Sequence, residues 1–200
     1  MRKSILIAFV LFIGLITAQA QIKVSPGVRG GLNFSTLTNI DDNSTKTDFY
    51  LGGLVNIKFN KYFSLQPELS YSRQGDKGRE YFDNGSYRNI NYELNYVTVG
   101  AVAKFNFNGS GFHVLAGPSL DFKIDDNYIN SNPEGFDLAI VGGVGYTLPN
   151  GLTFEARIKQ GFIDIYGYDG VYDDNNNGNY DEVILNQVLQ IGISYTFKGR

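Results

Sequence analysis

From residue 22 onward, large apolar residues alternate with small or polar ones at a period of two, the spacing of a β-strand lying between two different environments. Ile22, Val24, Val28, Leu32 and Phe34 share one face, opposite Lys23, Ser25, Arg29, Asn33 and Ser35. Phe49, Leu51, Val55, Ile57 and Phe59 oppose Tyr50, Gly52, Leu54, Asn56 and Lys58. The pattern returns over 63–72, 97–107, 112–123, 137–146, 152–159 and 189–197, which predicts eight strands. No sustained helical period interrupts it.

The two faces are inverted relative to a soluble sheet. Phe, Leu, Ile and Val crowd one side, while the other is small, glycine-rich and charged. A narrow barrel has no room inside for that many large apolar groups, but it can present them to lipid. Connections alternate in length. Those at 60–62, 108–111 and 149–151 are short, and those near 36–48, 75–91, 125–135 and 166–184 are long. An even strand count, short turns at one end and long loops at the other describe a transmembrane β-barrel. Closure leaves no unpaired strand edge in the membrane. The expected fold is therefore all-β, an eight-stranded antiparallel up-and-down transmembrane barrel. Pro26, Pro67 and Pro118 fall inside the expected strands. Each lacks an N–H for the ladder, so bulges or ladder defects near the membrane rims are expected there.

The N-terminus has a different character. Arg2 and Lys3 precede the apolar run Ile5–Ile16, and Ala18-Gln19-Ala20 follows, the layout of a secretory signal peptide. As a helix that run rises about 18 Å, short of a hydrocarbon core of roughly 30 Å. Residues 1–20 are read as a cleaved signal peptide and 21–200 as the barrel domain. No cysteine follows the run for a lipid anchor, and the absence of cysteine elsewhere excludes disulfides and thiolate metal sites. With 17 basic and 20 acidic residues and no basic cluster, nucleic acid is not an expected partner.

Several stretches resemble the outer-membrane β-barrel family of Bacteroidetes known as porin-like or PorT-like. They are Gly30-Gly31-Leu32-Asn33-Phe34-Ser35, Leu65-Gln66-Pro67-Glu68-Leu69-Ser70-Tyr71, Ala116-Gly117-Pro118, Val141-Gly142-Gly143-Val144-Gly145-Tyr146 and Ile191-Gly192-Ile193-Ser194-Tyr195-Thr196-Phe197. The resemblance implies an eight-stranded outer-membrane barrel and no single activity; some relatives are tied to protein secretion. Tyr96-Val97-Thr98-Val99-Gly100 departs from it, standing where relatives tend to carry an acidic residue and a proline.

The inward face is expected to carry Arg29, Lys58, Lys104, Lys123, Arg157 and Lys159 against Glu68, Asp121, Asp137 and Glu155. This near-balance fits a packed salt-bridge plug, since buried charges must be paired; an ion path or substrate site is the competing reading. His113, the only histidine, is assigned a structural place in the lumen. Ser119 and Asp121 share its face but lie too far along the strand to form a catalytic set with it.

Two loops carry sharper signals. Asp173-Asp174-Asn175-Asn176-Asn177-Gly178-Asn179-Tyr180-Asp181 places oxygen ligands at Asp173, Asn175, Asn177, Asn179 and Asp181, with a glycine at the sixth position. That is the front of a calcium loop, although Ile184 occupies the usual glutamate position. Ca²⁺ is the one cofactor to test and none is required; the alternative is a solvated Asn/Asp/Gly loop. Around 75–91, Arg73, Lys77, Arg79 and Arg88 mix with Tyr81, Phe82 and Tyr87, chemistry suited to lipopolysaccharide phosphates or carbohydrate, or to an ordinary surface loop.

The functional expectation is a non-enzymatic small outer-membrane barrel with a structural, interaction or adhesion role through its outer loops. Its expected partners are outer-membrane lipid, lipopolysaccharide and proteins met by those loops. The rival classes are an accessory of transport or secretion, a lipid-modifying barrel enzyme and a narrow ion channel.

Overall fold

The computed structural model describes residues 22–39, 44–81, 86–107, 110–128, 133–165 and 183–198. Eight strands, β1 (Lys23–Leu37), β2 (Lys46–Lys58), β3 (Phe63–Tyr81), β4 (Tyr87–Asn106), β5 (Phe112–Asp126), β6 (Phe136–Thr147), β7 (Leu152–Gly161) and β8 (Asn186–Thr196), follow one another around a closed barrel. Every neighbour pair is antiparallel, and β1 closes the ring on β8 through the register Gly27↔Thr196 to Leu37↔Asn186.

The tight turns follow from local chemistry. Asn60 Oδ1 accepts the backbone N–H of Tyr62 and of Phe63, each at 2.8 Å, closing the β2–β3 turn as an Asx turn does. Between β6 and β7, Asn150 Oδ1 accepts the N–H of Leu152 at 3.0 Å. There Gly151 adopts φ 95°, a left-handed conformation that costs glycine nothing. These short turns mark the inner, periplasmic end of the barrel.

The inverted alternation is realised. Val28, Leu32, Leu51, Leu69, Ile140, Ile158 and Ile191 all point outward and are exposed, while Ser25, Arg29, Asn33, Gln66, Glu68, Asp121 and Arg157 are buried inside. Two aromatic belts bound the apolar band. The inner belt includes the Phe105–Phe107 and Phe107–Phe112 contacts, with ring centroids 5.3 and 5.6 Å apart. The outer belt includes Phe49–Tyr71 at 6.0 Å and Phe122–Phe136 at 5.5 Å. Phe112 to Phe122 covers the distance in one strand, which at a typical tilt spans a band of about 25 Å.

Two expectations need correction. The stretch 75–91 is not a long loop: β3 and β4 run on as a paired ribbon, in register from Arg73↔Asn95 to Tyr81↔Tyr87. From Arg73 to Lys77 both faces of the ribbon are polar, although Gln74 and Asp76 are buried, so the apolar alternation that betrays a strand disappears while backbone pairing persists. The 36–48 connection is likewise shorter than expected, because β2 begins at Lys46. Of the three prolines, Pro67 and Pro118 interrupt pairing, within the band and not at its rims, whereas Pro26 pairs with Val55 in an unbroken register. The β2–β3 register skips from Leu54↔Glu68 to Ile57↔Leu65 beside Pro67, and the β4–β5 register skips from Gly100↔Ser119 to Ala103↔Ala116 beside Pro118. Among the described residues the one register shift lies elsewhere, at Asn95/Tyr96. The extra residue is Ile124 of β5, which has no β4 partner, a bulge in that strand. β4 keeps its parity, so Leu94 and Tyr96 point inward while Asn95, also buried, meets the Tyr71 hydroxyl on the other face.

Candidate functional site

The lumen is filled in three tiers. In the central tier, Glu68 accepts two hydrogen bonds from Arg157, each 2.8 Å, and is paired with Arg29. Gln66 Nε2 donates to Glu68 Oε1 at 2.6 Å. Glu155 accepts Arg157 Nη2 at 2.6 Å and Nε at 3.0 Å, and Lys104 Nζ at 2.6 Å. Three cations thus enclose two carboxylates, with every member buried. Fork-shaped guanidinium contacts of this kind are among the stronger hydrogen bonds available to a protein. A void of about 20 Å³ remains beside Arg29, Glu68 and Arg157, room for about one water. Nε and Nη2 of Arg29 have no protein partner.

Above it, Asp121 is paired with Lys159 and accepts the Thr98 hydroxyl at 2.8 Å. Asp137 Oδ1 accepts the backbone N–H of Phe162 and Ile163 at 3.2 and 3.1 Å, which ties the end of β7 to the barrel wall. Asn33 bridges strands by donating to Ser72 Oγ (2.9 Å) and Arg73 O (2.6 Å) while accepting from Gln190 at 2.8 Å. The outer tier is apolar: Leu37, Leu94, Tyr96 and Ile165 form a buried cluster, with Tyr128 and Ile184 packed against it.

Of the expected inward charges, Arg29, Lys104, Arg157, Lys159, Glu68, Asp121, Asp137 and Glu155 are all buried. Lys58 is exposed at the inner mouth. Lys123 sits at the outer mouth, 2.7 Å from Asp126 and donating to the carbonyl of Pro133. Lys46 and Asp48 were missed because their positions read as loop, and Arg73, expected among the ligand-facing basic residues of the 75–91 stretch, forms ion pairs instead. Lys46 pairs with Asp48 at 2.8 Å, and Arg73 pairs with Glu93 at 2.6 Å. Arg73 is therefore committed to protein partners.

His113 is fully buried, with Nδ1 3.2 Å from Gly111 O and Nε2 3.4 Å from Glu155 Oε1. Ser119 and Asp121 contact one another at 3.4 Å in the upper tier, so these three residues form no catalytic set. The 173–181 loop, the 1–20 segment and Phe82 lie outside the described residues, as do the side chains of Arg79 and Tyr81. Among the described residues no group of three or more His, Cys, Asp or Glu side chains could hold a metal.

A closed eight-stranded barrel with an apolar outer band, two aromatic belts and a polar, filled interior is a transmembrane barrel of the outer-membrane type. The chain belongs to the outer membrane protein beta-barrel domain family, whose model matches residues 18–167. Among solved structures it is similar to Neisserial surface protein A, at 13% identity over 87% of this chain and 97% of that one, with a TM-score of 0.50. It is also similar to OprG of Pseudomonas aeruginosa, at 13% identity over 90% and 98% of the two chains, with a TM-score of 0.47. Ail of Yersinia pestis, solved with the heparin analogue sucrose octasulfate, shares 12% identity over 88% and 99%, with a TM-score of 0.46. At these identities the likeness concerns the fold. No curated protein matches the sequence.

Proposed function

We propose that this protein is a non-enzymatic outer-membrane barrel that works as an interaction or adhesion platform through its outer ribbon and does not conduct. The observation that carries this reading is the contrast between a filled lumen and an overlong hairpin. β3 and β4 are 19 and 20 residues long, against 10 to 15 for the other strands. From Tyr71 to Tyr81 the ribbon rises roughly 25 Å past the outer belt at about 3.3 Å per residue and a typical tilt. It exposes Tyr87 and Lys77 and is braced by the Tyr92–Tyr128 stack at 4.8 Å. Aromatic and basic side chains on a rigid element suit recognition of a carbohydrate, a lipopolysaccharide headgroup or a protein.

The reading includes removal of residues 1–20 on export and placement of the chain among the PorT-like barrels of Bacteroidetes, supported by the Leu65–Tyr71 and Ile191–Phe197 motifs. The test replaces 78–90 with a short turn and compares binding to lipopolysaccharide and to crosslinked cell-surface partners. The shortened protein keeps the heat-dependent gel shift of a closed barrel and loses the binding. Retained binding, or conductance steps in planar bilayers, overturns the proposal. A stable crosslinked partner on the periplasmic side instead favours a transport or secretion accessory. Altered lipids that depend on His113 favour an enzyme.

A further inference from the structure

Charge is distributed unevenly along the barrel axis. The only described carboxylates in the inner half are Glu68 and Glu155, and both are consumed by the central network. All other described carboxylates lie at the level of Asp121 or farther out. The inner mouth, by contrast, gathers lysines. Lys23 and Lys58 are direct cross-strand partners. By strand parity both lie on the inward side, with Ser25 and Asn56. Like charges directly opposite one another on a sheet repel, and among the described residues neither lysine has a carboxylate partner. Lys61, in the adjoining turn, has none either; its ammonium sits 4.9 Å over the Tyr62 ring.

These lysines adjoin a cavity. A vestibule of about 200 Å³ opens at this end, lined by Lys58, Lys61 and Lys104 with hydroxyl and amide side chains, Ser64, Asn106, Thr153 and Thr196 among them. Its floor is built from buried polar groups: Ser64, Gln66, Lys104 and Thr153 are each no more than 5% exposed. Among the described residues no carboxylate lines it. A concave site with cations at its rim, the Ser64 hydroxyl and other neutral polar groups on its walls and, among the described residues, no carboxylate is complementary to an oxyanion.

We propose that the inner mouth binds a phosphate-class oxyanion, held by Lys58 and Lys61 at the rim and by the Ser64 hydroxyl on the vestibule wall. Bound there, the anion neutralises the Lys23/Lys58 repulsion and neighbours the inner leaflet. A free phosphate and a phospholipid headgroup offer the same chemistry. Lys104 takes no part in the test because it is tied to Glu155.

The full folded protein in uncharged detergent is titrated with inorganic phosphate against chloride of matched ionic strength, following the backbone amide resonances of Ser64, Thr153 and Thr196. Saturable shifts specific to phosphate are expected. Lys58→Ala with Lys61→Ala weakens them about tenfold or more, since two charge-assisted contacts are lost. Lys58→Arg with Lys61→Arg restores them, and Lys77→Ala at the outer end leaves them unchanged. A second arm compares phosphatidylglycerol with phosphatidylcholine nanodiscs. If the same amides are already shifted in phosphatidylglycerol, and only with both lysines present, the site holds and the headgroup is its source. Equal shifts from phosphate and chloride, or shifts that persist in the double alanine variant, overturn the proposal. The exposed position of both lysines keeps the variants foldable, which the heat-dependent gel shift checks.

Discussion

Replacing Glu155 with glutamine changes almost no volume and removes one charge from the centre of the lumen. In the native tier Arg29, Arg157 and Lys104 face Glu68 and Glu155, an excess of one positive charge. Glu155→Gln leaves three buried cations around one carboxylate. It also weakens three charge-assisted hydrogen bonds of 2.6 to 3.0 Å. At an effective dielectric near 20, two charges about 4 Å apart interact by about 4 kcal/mol, and breaking one partner of a buried ion pair typically costs about 3–5 kcal/mol. A loss in that range is expected. Lys104→Met in the same chain restores the native excess of one, so the double variant is more stable than the sum of the single changes predicts, by about 1–3 kcal/mol. The assay is reversible urea unfolding in phospholipid vesicles, read by gel mobility, because the chain has no tryptophan. If Glu155→Gln costs under about 0.5 kcal/mol, or the two effects simply add, the network is screened by water and the lumen is not the dry plug described.

Further outcomes follow from packing, from lipid contact and from the Asn/Asp-rich sequence at 173–181. A Cβ on Gly145 would lie 2.6 Å from His113 Nε2 and 2.8 Å from Glu155 Cγ. Gly145→Ala therefore costs about 1–3 kcal/mol of overpacking in the same unfolding assay, and His113→Ala relieves much of it. Ile158 is outward-facing, 58% exposed and midway between the belts, so Ile158→Arg costs about 2–4 kcal/mol in bilayers, whereas Tyr87→Arg on the ribbon changes stability by less than about 0.5 kcal/mol. Millimolar calcium raises the unfolding temperature if Asp173, Asn175, Asn177, Asn179 and Asp181 ligate it; Asp173→Ala with Asp181→Ala abolishes the rise, and no rise in the native protein ends that proposal.

Within the membrane band, the sequence was readable because each strand there separates lipid from a packed polar lumen. The register of Val28, Leu32 and Phe34 against Arg29, Asn33 and Ser35 survives intact in the barrel. Outside the band it was not. From Arg73 to Lys77 the ribbon is polar on both faces, although Gln74 and Asp76 are buried, so it carries no apolar alternation and reads as loop. The buried Lys46 fails to read as strand because Thr45 to Asp48 are likewise polar on both faces. The register shift at Asn95/Tyr96 was out of reach because it concerns pairing and not parity: Ile124 of β5 has no partner on β4, while Leu94 and Tyr96 keep the inward face of β4. The pairings inside the lumen were beyond reach on other grounds. Glu68 and Arg157 stand 89 residues apart and meet only because closure of the ring faces β3 toward β7. Alternation supplies which side chains point inward; the shear of the closed barrel decides which of them meet.

That division bears on where function can reside. The central tier consumes nearly all the inward charge of the middle of the barrel, and the apolar cluster of Leu37, Leu94, Tyr96 and Ile165 stops the outer end. The surfaces open to a ligand lie at the two ends: an exposed ribbon carrying Lys77 and Tyr87 outside, and lysines without acidic partners among the described residues around a polar vestibule inside. The ends are separated by a network whose removal is costly, so a ligand at one end is not transmitted to the other by a moving charge in the lumen. Coupling between them would require the wall itself to shift, and the wall is a ring of eight paired strands with no free edge in the band. The two ends are therefore expected to bind independently. Measured affinities at the ribbon should be the same with and without phosphate at the inner mouth, and a change of more than about threefold would mean that the barrel transmits strain through its hydrogen-bonded wall.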